Sequence, residues 1–227
     1  MKRLIIFAAI PAFVFGLFLI YKSTIRPIQV KNQIMESENY RDNLERFRAL
    51  PIPKDEVILV GNSLMVGVDL SKVHCQGVSK MAINGDMTEG LNHRKSIIVS
   101  RRPKTVIIEL GINDILAGLG FSLIEFERFF SDSSVQALTT QFAILSLSPT
   151  CLESSTFVNA DSVNEEILEA NLLLVDFCGR KGIVFIDVHS ALGGEMLVPS
   201  YTSDGVHLND QGYEHWHHAI NSFLHCD

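Results

Sequence analysis

The sequence predicts an α/β fold in which a mostly parallel central sheet is covered by helices on both faces, as a three-layer α/β/α sandwich. Two observations lead to this prediction. From residue 56 onward, short apolar runs of strand length alternate with longer helical patterns. The chain has 227 residues, of which 47% are hydrophobic, and this suits one globular domain with a full core.

Five short apolar runs predict the strands of the sheet, and the second run is the weakest. The predicted strands are 56–61, 73–78, 105–111, 142–149 and 183–188. In open α/β sheets, sites form outside the carboxyl ends of the strands. Functional residues are therefore expected directly after these runs.

Helical patterns separate and follow the strands. The predicted helices are 88–100, 122–130, 161–182 and 209–224. In the third helix, Asp161 is a candidate cap, lysine and arginine occupy the last turn, and Gly182 is a stop signal. This alternation of elements predicts parallel strands joined by helical crossovers.

An apolar segment opens the chain, and residues 1–21 are predicted to be a signal anchor, a single transmembrane helix. Lys2 and Arg3 precede a run from Leu4 to Ile20 that carries no charge. A cleaved signal peptide is the weaker alternative, because "FLIYKST" offers no good cleavage site. A buried core helix would alternate with polar positions, and this segment is apolar all round. The charges at the N-terminal side favour a membrane-anchored domain that is exported, periplasmic or extracellular.

A polar segment, residues 22–53, follows the apolar run and is predicted to be a juxtamembrane helix or stalk. Its apolar residues recur at loosely helical spacing, and the prolines of "LPIP" close the helix. The main domain is therefore expected to span residues 54–227. The formal net charge is −7 and no basic block follows the first few dozen residues, so nucleic acid is not an expected partner.

Neither the cysteines nor the clustered histidines have the spacing of a metal site. The four cysteines show no C-x-x-C pair and are Cys75, Cys151, Cys178 and Cys226. In an exported domain they can form one or two disulfides, and buried free thiols are the alternative. The last predicted helix carries His215, His217 and His218 without an acidic or cysteine partner at good spacing, so no metal is expected.

Ser63 lies directly after the first predicted strand, in "LVGNSLMVG" between Gly61 and Gly67. A serine at a tight turn that opens a helix can present its hydroxyl to a pocket, with its backbone N–H pointing the same way. The alternative is that Ser63 caps a helix. A serine nucleophile also needs a base and a carboxylate that orients the base.

Three other segments supply those groups. "DGVH" places Asp204 and His207 three apart on a turn, where the carboxylate can hold one imidazole nitrogen and leave the other free for a serine. "ELGIND" places Asn113 past a strand end, where its amide can donate to an oxyanion. "AINGDMT" places Gly85 in a loop where a backbone N–H can approach a ligand. The alternatives are a turn aspartate with a surface histidine, a helix cap and an ordinary turn glycine.

These four segments, in this order, resemble the motif blocks of the SGNH/GDSL hydrolase family. "GNSL" resembles the first block, usually G-D-S, and "INGDMT" resembles the second; "GIND" matches the G-x-N-D of the third, and "DGVHLN" the D-x-x-H of the last. "ELGIND" is particularly similar to the thioesterase/lysophospholipase-like branch. The resemblance covers Glu56 to the C-terminus and implies the family's flavodoxin-like fold. The departure is Asn62, where the family more often has aspartate, and this can change the hydrogen bonds around the serine turn.

The resemblance implies a role for each of five residues. Ser63 is the nucleophile, and its N–H is an oxyanion donor together with the Gly85 N–H and the Asn113 amide. His207 is the general base and then the general acid, and Asp204 orients it. The implied activity is cleavage of a carboxylic ester in a small molecule, a glycan or a lipid, without a metal or an organic cofactor.

Two alternatives stay open on the sequence. An acyltransferase would use the same acyl-enzyme but pass the acyl group to a sugar or a lipid instead of water. A non-catalytic flavodoxin-like binding module would keep the fold, although it has no need for all five reacting positions. The chain contains neither G-x-G-x-x-G nor G-K-[ST], so nothing supports nucleotide binding.

Overall fold

A computed structural model describes residue 21 and residues 25–152 and 160–224 of the chain. The predicted anchor, residues 1–21, lies outside the described residues except for Tyr21. Within the described part, no helix is both long and apolar enough to cross a bilayer.

Five parallel strands form the central sheet. The strands are β1 (Val57–Gly61), β2 (Val78–Ala82), β3 (Thr105–Glu109), β4 (Gln141–Leu145) and β5 (Val184–Ile186). They lie in the order β2-β1-β3-β4-β5, which is the order of flavodoxin-like sheets. Every residue of β1 and β3 is buried, as expected for central parallel strands with both faces covered. The predicted α/β class and the mostly parallel sheet are confirmed.

Helices flank the sheet. In the described residues they are α1 (Arg26–Met35), α2 (Glu38–Ala49), α3 (Ser63–Val66), α4 (Gly90–Arg101), α5 (Ile112–Leu116), α6 (Ile124–Ser131), α7 (Ser133–Gln136), α8 (Ala160–Lys181) and α9 (Asp210–Phe223). Each of the four helices predicted after residue 54 lies within two residues of its expected ends. Phe177 of α8 packs edge-on against Phe126 of α6, and Trp216 of α9 is fully buried. Aromatic side chains thus join the aliphatic residues of the strands in the core.

The prediction of a strand at 73–78 is wrong. A 3₁₀ turn at Leu70–Lys72 precedes this stretch, and Gly77 turns the chain with a φ of +71° directly before β2. β2 is an edge strand, and its first four positions alternate between half-buried and buried. Lys80 on this strand donates from Nζ to the Val68 carbonyl at 2.8 Å. An edge strand with a charged residue lacks the continuous apolar run that identifies a central strand.

Helices α1 and α2 occupy most of the segment predicted as a stalk, and they pack against the domain. Ser37 caps α2, since its Oγ accepts the Tyr40 N–H at 3.1 Å. Tyr40 and Phe47 lie two helical turns apart and are both buried. Beyond α2, the Leu50 carbonyl accepts a hydrogen bond of 2.9 Å from Arg101 of α4. Apolar burial and hydrogen bonds therefore hold this segment on the domain.

Candidate active site

Three neighbouring strands end at the same level, and this register brings the motif segments together. Gly61 at the end of β1 is paired with Ala82 of β2 on one side and with Glu109 of β3 on the other. The strand order reverses direction between β1 and β3, and such a switch point is where α/β sheets form ligand sites. The segments after these three strands are "NSL", "INGDMT" and "LGIND".

Ser63 is the first residue of α3, on the turn that follows β1. Asn62, rather than Ser63, caps this helix, because its Oδ1 accepts the Leu64 N–H at 2.8 Å. The Ser63 hydroxyl is therefore available to another partner. The turn needs a glycine before it, since a Cβ on Gly61 would lie 2.5 Å from the Met65 Cβ.

His207 links Ser63 and Asp204 in one chain of hydrogen bonds. Its Nε2 lies 2.9 Å from the Ser63 Oγ, and its Nδ1 lies 2.7 Å from the Asp204 Oδ2. Ser63 and His207 are 144 positions apart in the sequence, so only the fold brings them into contact. The His207 and Asp204 side chains are 48% and 52% exposed. The structure thus places the three predicted residues side by side, with the imidazole in the middle.

The Asp204 carboxylate is held in its ionised form. Partial burial raises its pKa, but hydrogen bonds from the His207 side chain and from the backbone N–H groups of His207 and Val206 outweigh this and lower the pKa to about 2. Thr202 braces the turn, because its Oγ1 donates to the His207 carbonyl at 2.6 Å and accepts the Gly205 N–H at 3.0 Å. A carboxylate that stays charged favours the His207 tautomer with its proton on Nδ1.

Gly85 and Asn113 lie in the loops after β2 and β3. Gly85 has a φ of +76°, a conformation that glycine adopts without strain. Asn113 donates from Nδ2 to the Asp86 carbonyl at 2.9 Å and keeps a second amide hydrogen. Gly111, rather than Asn113, is the cap of α5. Within the described residues, the backbone N–H groups of Ser63 and Gly85 donate to no other residue, so both are available to a ligand.

Asp114 and Thr88 tie these two loops together. The Thr88 N–H and hydroxyl donate to the two carboxylate oxygens of Asp114 at 3.0 and 2.9 Å. Burial raises the pKa of Asp114 to about 6, and the hydrogen bonds from Thr88 act in the opposite direction. Sequence reasoning assigned no role to either residue. The available signal was that both belong to quoted motif segments, "GIND" and "INGDMT".

Glu109 and Asn62 form a buried polar pair behind the serine turn. Both side chains are fully buried. Burial raises the pKa of Glu109 to about 8, and the Asn62 side chain lowers it in part. Among the described residues, the Asn62 Nδ2 and both Glu109 carboxyl oxygens are without a hydrogen-bond partner of good geometry. The family's usual aspartate at this position is thus replaced by an amide that faces a buried carboxyl group.

The histidines of α9 and the cysteines were the other candidates for a metal site. His215 packs against Tyr201, with ring centroids 4.8 Å apart. Across the described ranges, no group of three histidine, cysteine, aspartate or glutamate side chains is placed to hold a metal ion. Cys151 and Cys178 are free thiols, whereas Cys75 is disulfide-bonded.

Residues 59–215, most of the chain, match the GDSL-like lipase/acylhydrolase family. The chain belongs to this family, which confirms the resemblance read from the four motif segments. It is accordingly an ester-hydrolysing enzyme. No curated protein sequence matches the chain.

Several solved structures share the fold. A GDSL-like lipase from Bacteroides thetaiotaomicron is 20% identical, with a TM-score of 0.70 over 82% of this chain and 96% of its own. A protein from Bacteroides fragilis assigned as an acylhydrolase is 22% identical, with a TM-score of 0.67 over 82% of this chain and 95% of its own. An acetyl xylan esterase is 18% identical, with a TM-score of 0.60 over 74% of this chain and 99% of its own. At these identities the similarity establishes the fold alone.

Proposed function

We propose that the chain is a serine esterase in which Ser63 is the nucleophile, His207 the general base and Asp204 the carboxylate that orients the base. The observation that carries this proposal is the chain of hydrogen bonds through both ring nitrogens of His207, at 2.7 Å to Asp204 and 2.9 Å to Ser63. In this arrangement one ring nitrogen can take the serine proton while the other remains an N–H donor to the carboxylate.

In the first half-reaction the Ser63 Oγ attacks the carbonyl carbon of the ester while the His207 Nε2 takes its proton. The carbonyl oxygen becomes an oxyanion that accepts hydrogen bonds from the Ser63 N–H, the Gly85 N–H and the Asn113 amide. The two unpaired N–H groups and the second amide hydrogen of Asn113 support this assignment. When the tetrahedral intermediate collapses, the His207 Nε2 returns the proton to the leaving alcohol and an acyl-enzyme remains.

In the second half-reaction the same groups act on water. The His207 Nε2 takes a proton from a water molecule as the water oxygen attacks the acyl carbon, and the same oxyanion donors stabilise the second intermediate. Its collapse releases the carboxylic acid, and the proton returns from His207 to the Ser63 Oγ. No cofactor takes part in either step.

The proposed substrate is a carboxylic ester of a small molecule, a glycan or a lipid. His207 delivers the proton to the leaving alcohol, and about half of its side chain is exposed. The alcohol therefore leaves at an open surface, where a sugar chain or a lipid headgroup has room. Proteins with a similar fold include a GDSL-like lipase and an acetyl xylan esterase, whose names fit a lipid ester and a glycan ester, respectively.

The test uses the full chain in detergent with p-nitrophenyl acetate, butyrate and octanoate. We expect turnover by the wild type and a loss of at least about 10⁴-fold in Ser63→Ala, because the nucleophile is removed. The chain-length profile then separates short-acyl from lipid-like substrates. A fluorophosphonate probe should label the wild type and not Ser63→Ala.

Two outcomes would contradict the hydrolase proposal. A folded wild type that neither turns over an ester nor reacts with the fluorophosphonate would favour the binding module. Turnover that yields mainly a new ester when an alcohol acceptor is added, with little free acid, would favour the acyltransferase.

We also propose that residues 1–21 anchor the chain in a membrane and that the domain lies outside the cytoplasm. Two facts support this: the apolar run from Leu4 to Ile20, and the disulfide at Cys75, a bond that persists in oxidising compartments. We expect the full chain to stay in the membrane fraction after carbonate washing. Thiol labelling of the denatured protein should rise by two per chain after reduction. Release by carbonate, or equal labelling before and after reduction, would contradict the proposal.

A further inference from the structure

A buried cluster of polar side chains lies behind the loop that carries Gly85. Asp86, the next residue, forms an ion pair with Arg94 of α4, and both side chains are 0% exposed. Tyr40 of α2 donates its hydroxyl to the Asp86 Oδ1 at 3.2 Å, and the Met87 N–H donates to the same oxygen at 3.0 Å. Burial and the nearby Asp86 charge raise the pKa of Tyr40, so its hydroxyl keeps its proton and acts as a donor.

Asp86 connects this cluster to both loops of the proposed oxyanion hole. Its backbone directly follows Gly85, and its carbonyl accepts the hydrogen bond from the Asn113 Nδ2 at 2.9 Å. A movement of the Asp86 side chain would therefore displace the Gly85 N–H and the Asn113 amide together. Small displacements of such groups are costly, since a misplacement of about 1 Å can cost about 100-fold in rate.

The contacts to this loop come in part from helices that precede the family match, which begins at residue 59. Tyr40 lies on α2. Ile34 on α1 supplies the atoms nearest to the position that a Cβ on Gly85 would take, with its Cδ1 at 3.6 Å. One turn earlier on α1, Lys31 forms an ion pair of 2.8 Å with Glu89. Two helices outside the matched region thus contact the loop after β2.

We propose that Tyr40 is a positioning residue of the oxyanion hole and that it acts through Asp86. This inference rests on the proposed function, because it takes Gly85 and Asn113 as oxyanion donors. A buried ion pair is in itself weak evidence for stability, since apolar residues of similar volume often serve as well. The directed hydrogen bond from Tyr40, together with the ion pair to Arg94, instead fixes one orientation of the carboxylate, and with it one conformation of the loop.

The test is the Tyr40→Phe variant of the full chain, which removes the hydroxyl and keeps the ring. We expect kcat for p-nitrophenyl acetate to fall by about 10-fold while KM stays within about twofold, because the oxyanion exists only after attack. A trifluoromethyl ketone, whose adduct with Ser63 carries an oxyanion, should bind about 10-fold more weakly. The corresponding methyl carbinol is an alcohol with no carbonyl carbon for Ser63 to attack, so it forms no adduct. Its affinity should be unchanged.

The matched control is Phe47→Leu on the same helix. Phe47 is fully buried and makes no hydrogen bond to the loop among the described residues. This variant should lower the melting temperature at least as much as Tyr40→Phe, because it leaves a cavity. Its kcat and inhibitor affinity should equal those of the wild type at temperatures where it is folded. A merely structural role for Tyr40 would instead make both variants alike.

Arg94→Lys is the second variant, for use also if Tyr40→Phe fails to fold. It keeps a positive charge opposite Asp86 but replaces the planar fork by a single ammonium group. The same fall in kcat at unchanged KM is expected. If folded variants keep the wild-type kcat and inhibitor affinity while Ser63→Ala is inactive, the inference is overturned and the proposed function stands. An inactive wild type would overturn both.

Discussion

The two sides of the candidate active site differ in their exposure to solvent. His207 and Asp204 lie on a loop near the C-terminus with 48% and 52% of their side chains exposed. Asp86, Arg94 and Glu109, behind the loops of the strand ends, are fully buried. The proposed reacting groups therefore lie where a substrate can reach them. The groups that hold the surrounding backbone lie where a lost partner cannot be replaced by water.

This difference predicts that substitutions on one side of the site change mainly the activity and substitutions on the other side change mainly the stability. Substitutions in the exposed pair should change the rate and leave the free energy of unfolding nearly unchanged, because exposed ion pairs contribute about 0–1 kcal/mol. Substitutions in the buried groups should change the free energy of unfolding by several kcal/mol.

The largest effect is expected for Asp204→Asn. The variant loses the charged acceptor for the His207 Nδ1–H, and kcat should fall by about 10⁴-fold because the imidazole is no longer held in the productive tautomer. The urea midpoint should change little, since both side chains are about half exposed. Asp187→Asn is the control, because Asp187 is also exposed and its carboxylate accepts hydrogen bonds from the Ser190 N–H and hydroxyl rather than from the proposed reacting groups. Equal kcat values for the two variants would remove Asp204 from the mechanism.

The next effect is on stability, in Arg94→Met. The substitution leaves the fully buried Asp86 carboxylate without its cation, so the free energy of unfolding should fall by about 3–5 kcal/mol. Lys95→Met, one position further along α4, removes only a partly exposed pair with Asp132 and should cost about 1 kcal/mol or less. Urea unfolding of the three proteins measures both differences. A loss in Arg94→Met no larger than that in Lys95→Met would contradict the contrast between buried and exposed groups.

The smallest of these effects, and the one that depends on pH, is expected for Glu109→Gln. Because folding raises the pKa of Glu109 from 4.5 to about 8, its contribution to stability is complete below pH 4.5 and is lost as the pH rises through about 8. Glutamine keeps the shape and does not titrate. The variant should therefore match the wild type near pH 4.5 and exceed it by roughly 3 kcal/mol near pH 7.

Urea unfolding at several pH values between these limits tests this expectation. Groups common to both proteins, such as Asp114 with its pKa raised to about 6, cancel in the difference. Parallel stability curves for Glu109→Gln and the wild type would mean that Glu109 does not ionise in this range.

Local patterns were sufficient for much of the fold. A buried central strand is a continuous apolar run, so β1 and β3 were predictable from their own residues. The edge strand β2 was not, because it pairs with one neighbour and carries Lys80. The helical spacing of Tyr40 and Phe47 was visible as well, but no local signal says which surface such a helix covers.

The sequence by itself determined the kinds of chemical groups available and their place at the ends of elements. Ser63, Asn113 and the Asp204–His207 pair were identifiable because short motifs place reactive side chains at strand ends and turns. Contacts between distant positions required the tertiary structure. His207 meets Ser63 across 144 positions, and Tyr40 meets Asp86 across 46. Packing from many segments at once decides which groups become buried. Burial in turn decides which pKa values shift and which side chains hold the loops, and no local pattern contains that information.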